Sequence, residues 1–361
     1  MRLLVATALL LVLFPGVALR AQAQDAGSGI DVGGAIRFNY GWKDYDNDDK
    51  FDLELVRADL SCERGRFICS AQYRWYEGFS AVHHAWVGIQ ATEQQQVRAG
   101  IVQVPFGLLP YASHSFWFGS GYYLGIEDDY DLGATWTLDN GEWRADAALF
   151  AGDEYGTGRE DGRYSFDVAT TADHPFRERT RGVLRLERLV EHGDWTTRLG
   201  GSLSAGRIER RPDGADFDRQ AFALHAESTR GPLELEAQWA RYDYDVPGDR
   251  IALTAFLFPF EVASTADVAT VNVAWTFERS GWFDSITCYN DYSTTRADGP
   301  GLADSVQNVT GCSFAKGPMF TYVDWIAGRN MWFAGGPGIG IEAGDSDRWH
   351  SRLNVNVGFY F

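Results

Sequence analysis

Past residue 23 the chain has no run approaching 18 consecutive apolar residues, which excludes helical membrane spans. Lysine is nearly missing: it stands only at positions 43, 50 and 316, so arginine supplies almost all the positive charge. Positive charge is itself outnumbered, with 32 basic against 50 acidic residues and a net charge of −18 over 361 residues. That balance excludes a nucleic-acid binder, whose footprint is a basic face. Cysteine is confined to Cys62, Cys69, Cys288 and Cys312, at spacings that do not suggest zinc. No metal, cofactor or catalytic residue is expected.

Aromatic residues and glycine are plentiful: 13 Trp, 16 Tyr, 23 Phe and 40 Gly. The first residues read as a secretory signal peptide over 1–23. Met1-Arg2 precede an apolar run to Leu19, broken by Pro15-Gly16, and Ala21-Gln22-Ala23 supplies a small-x-small cleavage pattern. No cysteine near that site would carry a lipid. Removing Arg2 and Arg20 with this segment takes the net charge from −18 to −20. The remainder, 24–361, reads as a single domain.

Its pattern is strand-like alternation. In the last segment Leu353, Val355, Val357, Phe359 and Phe361 share one face, and Arg352, Asn354, Asn356, Gly358 and Tyr360 the other. Sixteen such segments are expected at 29–43, 51–63, 66–77, 81–91, 96–104, 131–138, 142–151, 180–189, 194–205, 218–228, 232–243, 267–278, 282–293, 305–315, 319–333 and 349–361. Connections of hairpin chemistry, such as Arg64-Gly65 and Asp139-Asn140-Gly141, alternate with mostly longer ones. Sidedness of that kind predicts an all-β, antiparallel transmembrane barrel of about sixteen strands with a water-filled lumen. Trp42, Trp143, Trp195 and Trp282 near strand ends suit interfacial girdles, or ordinary strand packing.

The longest apolar connection follows Val102-Gln103-Val104-Pro105-Phe106-Gly107, where Pro105 removes a ladder donor and should end pairing. It continues through Phe116-Trp117-Phe118-Gly119 to Glu127, Asp128 and Asp129, with Asp131 beyond. A loop so apolar should not sit in solvent, so it is expected to fold into the barrel and form a constriction. Parity places Arg37, Arg57, Arg66, Arg74, Arg98, Arg144, Arg181, Arg185, Arg198, Arg219 and Arg352 on the lumen wall. Inward acids by the same rule include Asp59, Asp131, Asp146, Glu187, Glu234, Glu236, Glu278 and Asp324. Acids of the loop facing arginines of the wall would set up a transverse field; otherwise these charges simply solvate the lumen.

With these residues the chain resembles the porins of Gram-negative outer membranes, and most specifically the phosphate-selective porin O/P family. The resemblance rests on Arg98-Ala99-Gly100-Ile101-Val102-Gln103-Val104 running into Pro105-Phe106-Gly107, on Val56-Arg57-Ala58-Asp59-Leu60, on Tyr130-Asp131-Leu132-Gly133-Ala134 and on terminal Phe361. It implies a homotrimer, a third external loop folded inward, and Phe361 as the signal read by the outer-membrane assembly machinery. Lipid and lipopolysaccharide would surround the barrel, and small hydrophilic solutes would pass through it by passive diffusion. Phosphate selectivity in that family draws on lumen lysines, and none lies here between 50 and 316.

Three features stay open at this stage. Cys62 with Cys69, and Cys288 with Cys312, are either cross-strand disulfides or free thiols. Asp44-Tyr45-Asp46-Asn47-Asp48-Asp49 lacks the Gly and Glu of a calcium-binding EF-hand loop and reads as an acidic surface loop. His83-His84 falls on a strand, while Ser113-His114-Ser115 in the long loop would serve a hydrolase only if a Ser, a His and an acid converge.

Overall fold

The computed structural model describes residues 28–45, 49–155, 162–334, 336–341 and 348–361; the expected signal peptide and Asp46, Asn47 and Asp48 lie outside them. The alternating segments form β1 (Ser28–Lys43), β2 (Asp49–Arg64), β3 (Phe67–Tyr76), β4 (Phe79–Gln90), β5 (Gln95–Gln103), β6 (Tyr130–Asp139) and β7 (Trp143–Gly152). After the short β8 (Asp167–Val168) come β9 (Phe176–His192), β10 (Trp195–Arg210), β11 (Asp216–Arg230) and β12 (Leu233–Tyr244). The chain then makes β13 (Arg250–Ala255), β14 (Phe258–Ala263), β15 (Thr265–Glu278), β16 (Ser285–Ala297), β17 (Ser305–Lys316), β18 (Met319–Arg329), β19 (Gly338–Ile339) and β20 (His350–Tyr360).

Sixteen of these, all but β8, β13, β14 and β19, close into one antiparallel barrel. β1 completes the ring by pairing with β20, Ala35 opposite Tyr360. Phe361 extends that seam: its amide donates to the Gly34 carbonyl at 3.0 Å and its own carbonyl accepts from Gly34 N at 2.8 Å. Hairpin turns are tight at one end, as at Asn140-Gly141, where Gly141 takes φ +87°, a left-handed conformation open to glycine at little cost. Long connections gather at the other end.

Burial is inverted relative to a water-soluble protein. Leu149 is 74% exposed, Leu184 60% and Val271 59%, while Asp324, Asn272 and Asn356 are 0–1% exposed. Leaving a leucine in water forgoes about 1.5–3 kcal/mol of burial. A continuous outward apolar wall is therefore stable only against lipid or another apolar surface. The expected period-two faces are those of the barrel.

Three long connections carry the remaining strands. β8, β13, β14 and β19 form a second sheet in the order β19-β14-β13-β8, with β14 and β19 parallel. Ile251, Leu253, Val262 and Ile339 are fully buried in it. The sequence did not announce this sheet. Two expectations are corrected. The strand placed at 319–333 ends at Arg329, because Asn330 turns to φ +53° and the chain leaves the ladder. Arg66 is not on the lumen wall: it sits exposed in the turn between β2 and β3. Both cysteine pairs are bonded, Cys62 to Cys69 across β2 and β3 and Cys288 to Cys312 across β16 and β17.

Candidate functional site

Pairing of β5 stops at Gln103, and residues 104–129 run against the buried faces of the strands from β9 round to β18. Pro105 and Phe106 are buried at the loop's start. Gly107 then takes φ +65°, and a side chain there would collide with Gln238. The turn aims two amides at the wall: Gly107 N donates to Ser202 Oγ at 3.0 Å and Leu108 N to Gln238 Oε1 at 2.7 Å. Arg185 Nε closes the contact by donating to the Gly107 carbonyl at 2.8 Å.

Asp291 on β16 holds the middle of the loop. Its Oδ2 accepts from His114 N at 2.8 Å and Ser115 N at 2.7 Å, and its Oδ1 meets His114 Nδ1 at 3.0 Å. Phe116 N donates to Asp324 at 3.1 Å, Ser120 N to Ser293 Oγ at 2.8 Å, and Gln307 Nε2 to the Phe118 carbonyl at 2.8 Å. Burial alone would lower the His114 pKa, but the bond to Asp291, Glu234 at 3.7 Å and the charge of Glu236 raise it to about 10. His114 is thus an imidazolium among carboxylates. Ser113 and Ser115 hydroxyls make no hydrogen bond, and neither engages the ring, so no hydrolase triad is assembled here.

The loop's acids are engaged rather than free. Glu127 accepts Ala112 N at 3.0 Å; burial raises its pKa to about 8 against that bond. Asp128 accepts the Tyr164 hydroxyl at 2.5 Å; burial raises its pKa to about 6, with Arg74 opposing. Asp129 pairs with Arg181 at 2.7 Å, and Asp131 shares the same guanidinium.

The predicted arginines divide into groups. Arg37, Arg57 and Arg74 on β1, β2 and β3 line a cavity of about 570 Å³ whose opposite side is the loop, including Tyr111, His114, Phe116, Trp117 and Asp128. Arg37 donates to Glu54 at 2.8 Å and lies 5.2 Å from the Phe116 ring; Arg57 donates to Asp59 at 2.9 Å; Arg74 stacks 4.5 Å from the Tyr164 ring. Arg98 and Arg144 border a smaller cavity of about 240 Å³ with Pro105 and Asp146. Asp146 meets both Arg144 and Arg185 at 3.2 Å. Arg181 and Arg185 are buried, each with its guanidinium on carboxylates. Arg219 pairs with Glu178, and Arg352 stacks 4.1 Å from the Trp117 ring. Arg198 stands exposed on β10 opposite Glu227.

A larger concavity, about 960 Å³, opens on the outer wall between Trp136, Leu149, Leu184 and Trp239. Those outward apolar residues continue the barrel's exposed apolar wall, whereas the charged cavity lies inside the barrel. Reading faces by parity did not single out Asp291, Gln238 or Ser202 as anchors. Their inward parity was visible, but their partners are set by the loop's path.

No family model matches the chain, and no curated protein matches it. Solved structures do. The outer-membrane channel DcaP of Acinetobacter baumannii is 10% identical, with a TM-score of 0.65, over 95% of this chain and 100% of that one. OmpF of Salmonella typhi is 12% identical with TM-score 0.60, covering 93% and 98%. An anion-selective porin from Comamonas acidovorans is 13% identical with TM-score 0.54, covering 92% and 100%. At such identities the likeness is one of architecture: the chain has the sixteen-stranded fold of the outer-membrane porins, without assignment to the phosphate-selective branch.

Proposed function

We propose that the protein is a passive channel of the Gram-negative outer membrane, conducting small hydrophilic solutes and ions past loop 104–129. The observation that carries this reading is the pairing of an apolar outer wall with an interior of hydrogen-bonded polar groups and a charged cavity of about 570 Å³. The loop narrows the passage from one side, and Arg37, Arg57 and Arg74 form the other. On that cavity the Arg37, Arg57 and Arg74 guanidiniums face Glu54 and Asp128, which favours small anions modestly. Local charge at the narrowest point outweighs the chain's net −18, much of which is screened at the surface. The transverse-field arrangement expected from the sequence then reduces to Asp128 against the three arginines, since Glu127 and Asp129 are taken up elsewhere.

Lipid and lipopolysaccharide surround the barrel, Phe361 at the β1–β20 seam serves as the assembly signal, and the mature chain assembles as a homotrimer after signal-peptide removal. No catalytic role is assigned. The test is single-channel current in a planar bilayer under a salt gradient. Stepwise conductance with a small reversal potential of anionic sign is expected. Folded, heat-modifiable protein that conducts nothing would overturn the channel reading.

A further inference from the structure

Where loop 104–129 rejoins the barrel, carboxylate oxygens of Asp129, Asp131 and Asp167 lie within 4.8 Å of one another. They come from the loop's end, the start of β6 and the inner-sheet strand β8, and all three residues are at most 3% exposed. Oxygens bound to one Ca²⁺ at about 2.4 Å can stand at most about 4.8 Å apart, so the spacing suits a shared ion. An independent observation points the same way. Glu154, 2% exposed and within electrostatic reach of Asp167, accepts the Tyr164 and Ser165 amides through Oε1 alone. Its Oε2 is buried without a hydrogen-bond partner, as are Asp129 Oδ1, Asp131 Oδ1 and Asp167 Oδ2.

Charge is out of balance around them. Asp129, Asp131, Asp153, Glu154, Asp167 and Glu178 are all buried. The guanidiniums among them are Arg181 on Asp129 and Asp131, Arg163 on Asp153 at 2.8 Å, and Arg219 on Glu178. Buried carboxylates without counter-charge are heavily penalised. The donor set is all oxygen, which selects a hard cation over zinc or copper. Its members come from separate loops and strands, an irregular arrangement that suits calcium better than the strict octahedron of magnesium.

We propose that Asp129, Asp131 and Asp167 form a calcium site, bordered by the Glu154 carboxylate beside Asp167, that clasps the end of loop 104–129 to the inner sheet. Arg181 stays beside the ion as part of the charge balance. The site stands apart from the channel reading, and its test reads metal uptake rather than current.

The experiment is calorimetric titration of CaCl₂, and separately MgCl₂, into the full chain, folded in detergent and stripped of divalent ions with EDTA. Heat-modifiable gel mobility verifies the fold of every variant. One saturable calcium site is expected, with magnesium weaker, and Asp167→Asn should weaken calcium by about tenfold or more. Calcium should raise the wild-type melting temperature and leave that of Asp167→Asn unmoved. Asp44→Asn, in the acidic surface stretch, should bind as wild type does. If Asp167→Asn fails the mobility check, Glu154→Gln takes its place. No saturable uptake by the wild type, or wild-type affinity in the Asp167 and Glu154 variants, would overturn the proposal. Equal affinity for both ions would do the same, as it would mean diffuse charge screening.

Discussion

Replacing Asp291 by alanine tests whether the loop is held by a few strong points. One carboxylate there accepts two backbone amides, His114 N and Ser115 N, and holds the His114 ring at 3.0 Å. Each buried donor left without a partner costs about 1–3 kcal/mol, and a buried charge deprived of its partner about 3–5 kcal/mol. The remaining carboxylates Glu234 and Glu236 stand 3.7 and 4.0 Å from the imidazolium and recover part of that. A net loss of about 3–6 kcal/mol follows for docking of the loop's centre. No ladder hydrogen bond of the barrel is removed, so heat-modifiable mobility should persist. In planar bilayers Asp291→Ala should show larger conductance steps and more open-channel noise. Asp291→Asn keeps one carbonyl acceptor and should fall between it and the wild type. Unchanged conductance and noise in Asp291→Ala would refute the reasoning, because the loop would then be positioned without this anchor.

Gly107→Ala should loosen the start of the same loop. A left-handed alanine costs about 1–2 kcal/mol, and its methyl would displace the Gln238 carbonyl that holds Leu108 N; higher open-channel noise in the same recordings checks it. The pH response has a definite sign. Glu127 and Asp128 have pKa values raised by burial, so their stabilising contribution is complete below the ordinary carboxylate range. It is lost as pH rises through about 6 for Asp128 and about 8 for Glu127. His114, raised to about 10, contributes fully below its free value and loses its contribution as pH climbs through about 10. Loop docking should therefore weaken toward alkaline pH, and ionising Asp128 beside Arg74 should shift the reversal potential toward cations between pH 5 and pH 9, about one unit or more either side of that group. Finally, alkylation followed by mass spectrometry should find no free thiol before reduction. Converting Cys288 and Cys312 to alanine should cost about 3 kcal/mol against urea, as expected for a loop of that length.

The barrel was legible because its strands obey a rule that lipid enforces. With one face in hydrocarbon and one in a polar lumen, Leu199, Leu203 and Leu224 alternate with small or polar neighbours whatever they pair with. The inner sheet obeys no such rule. β13, Arg250–Ala255, is buried along nearly its whole length, and β14, Phe258–Ala263, begins with Phe258-Pro259; neither alternates. The overrun past Arg329 has a related cause, since Met331, Trp332 and Phe333 continue an apolar pattern after Asn330 has turned the backbone. At the site, parity carried no information on partners, and it assigned Arg66 to the wall although that residue sits exposed in a turn. Nothing local tells Arg74, stacked on Tyr164 beside the open cavity, from Arg181, sealed between Asp129 and Asp131. Glu154 and Asp167 were invisible as a pair with Asp129 because only the path of two loops brings them together.

The inner sheet also dictates an order of assembly. Its strands are drawn from positions 167–168, 250–255, 258–263 and 338–339, and β14 pairs with β19 across the four barrel strands β15 to β18 that separate them in the chain. Closing contacts so distant in sequence is slow, and β19 follows β18 in the chain, four barrel strands beyond β14. The sheet is therefore expected to form late in folding.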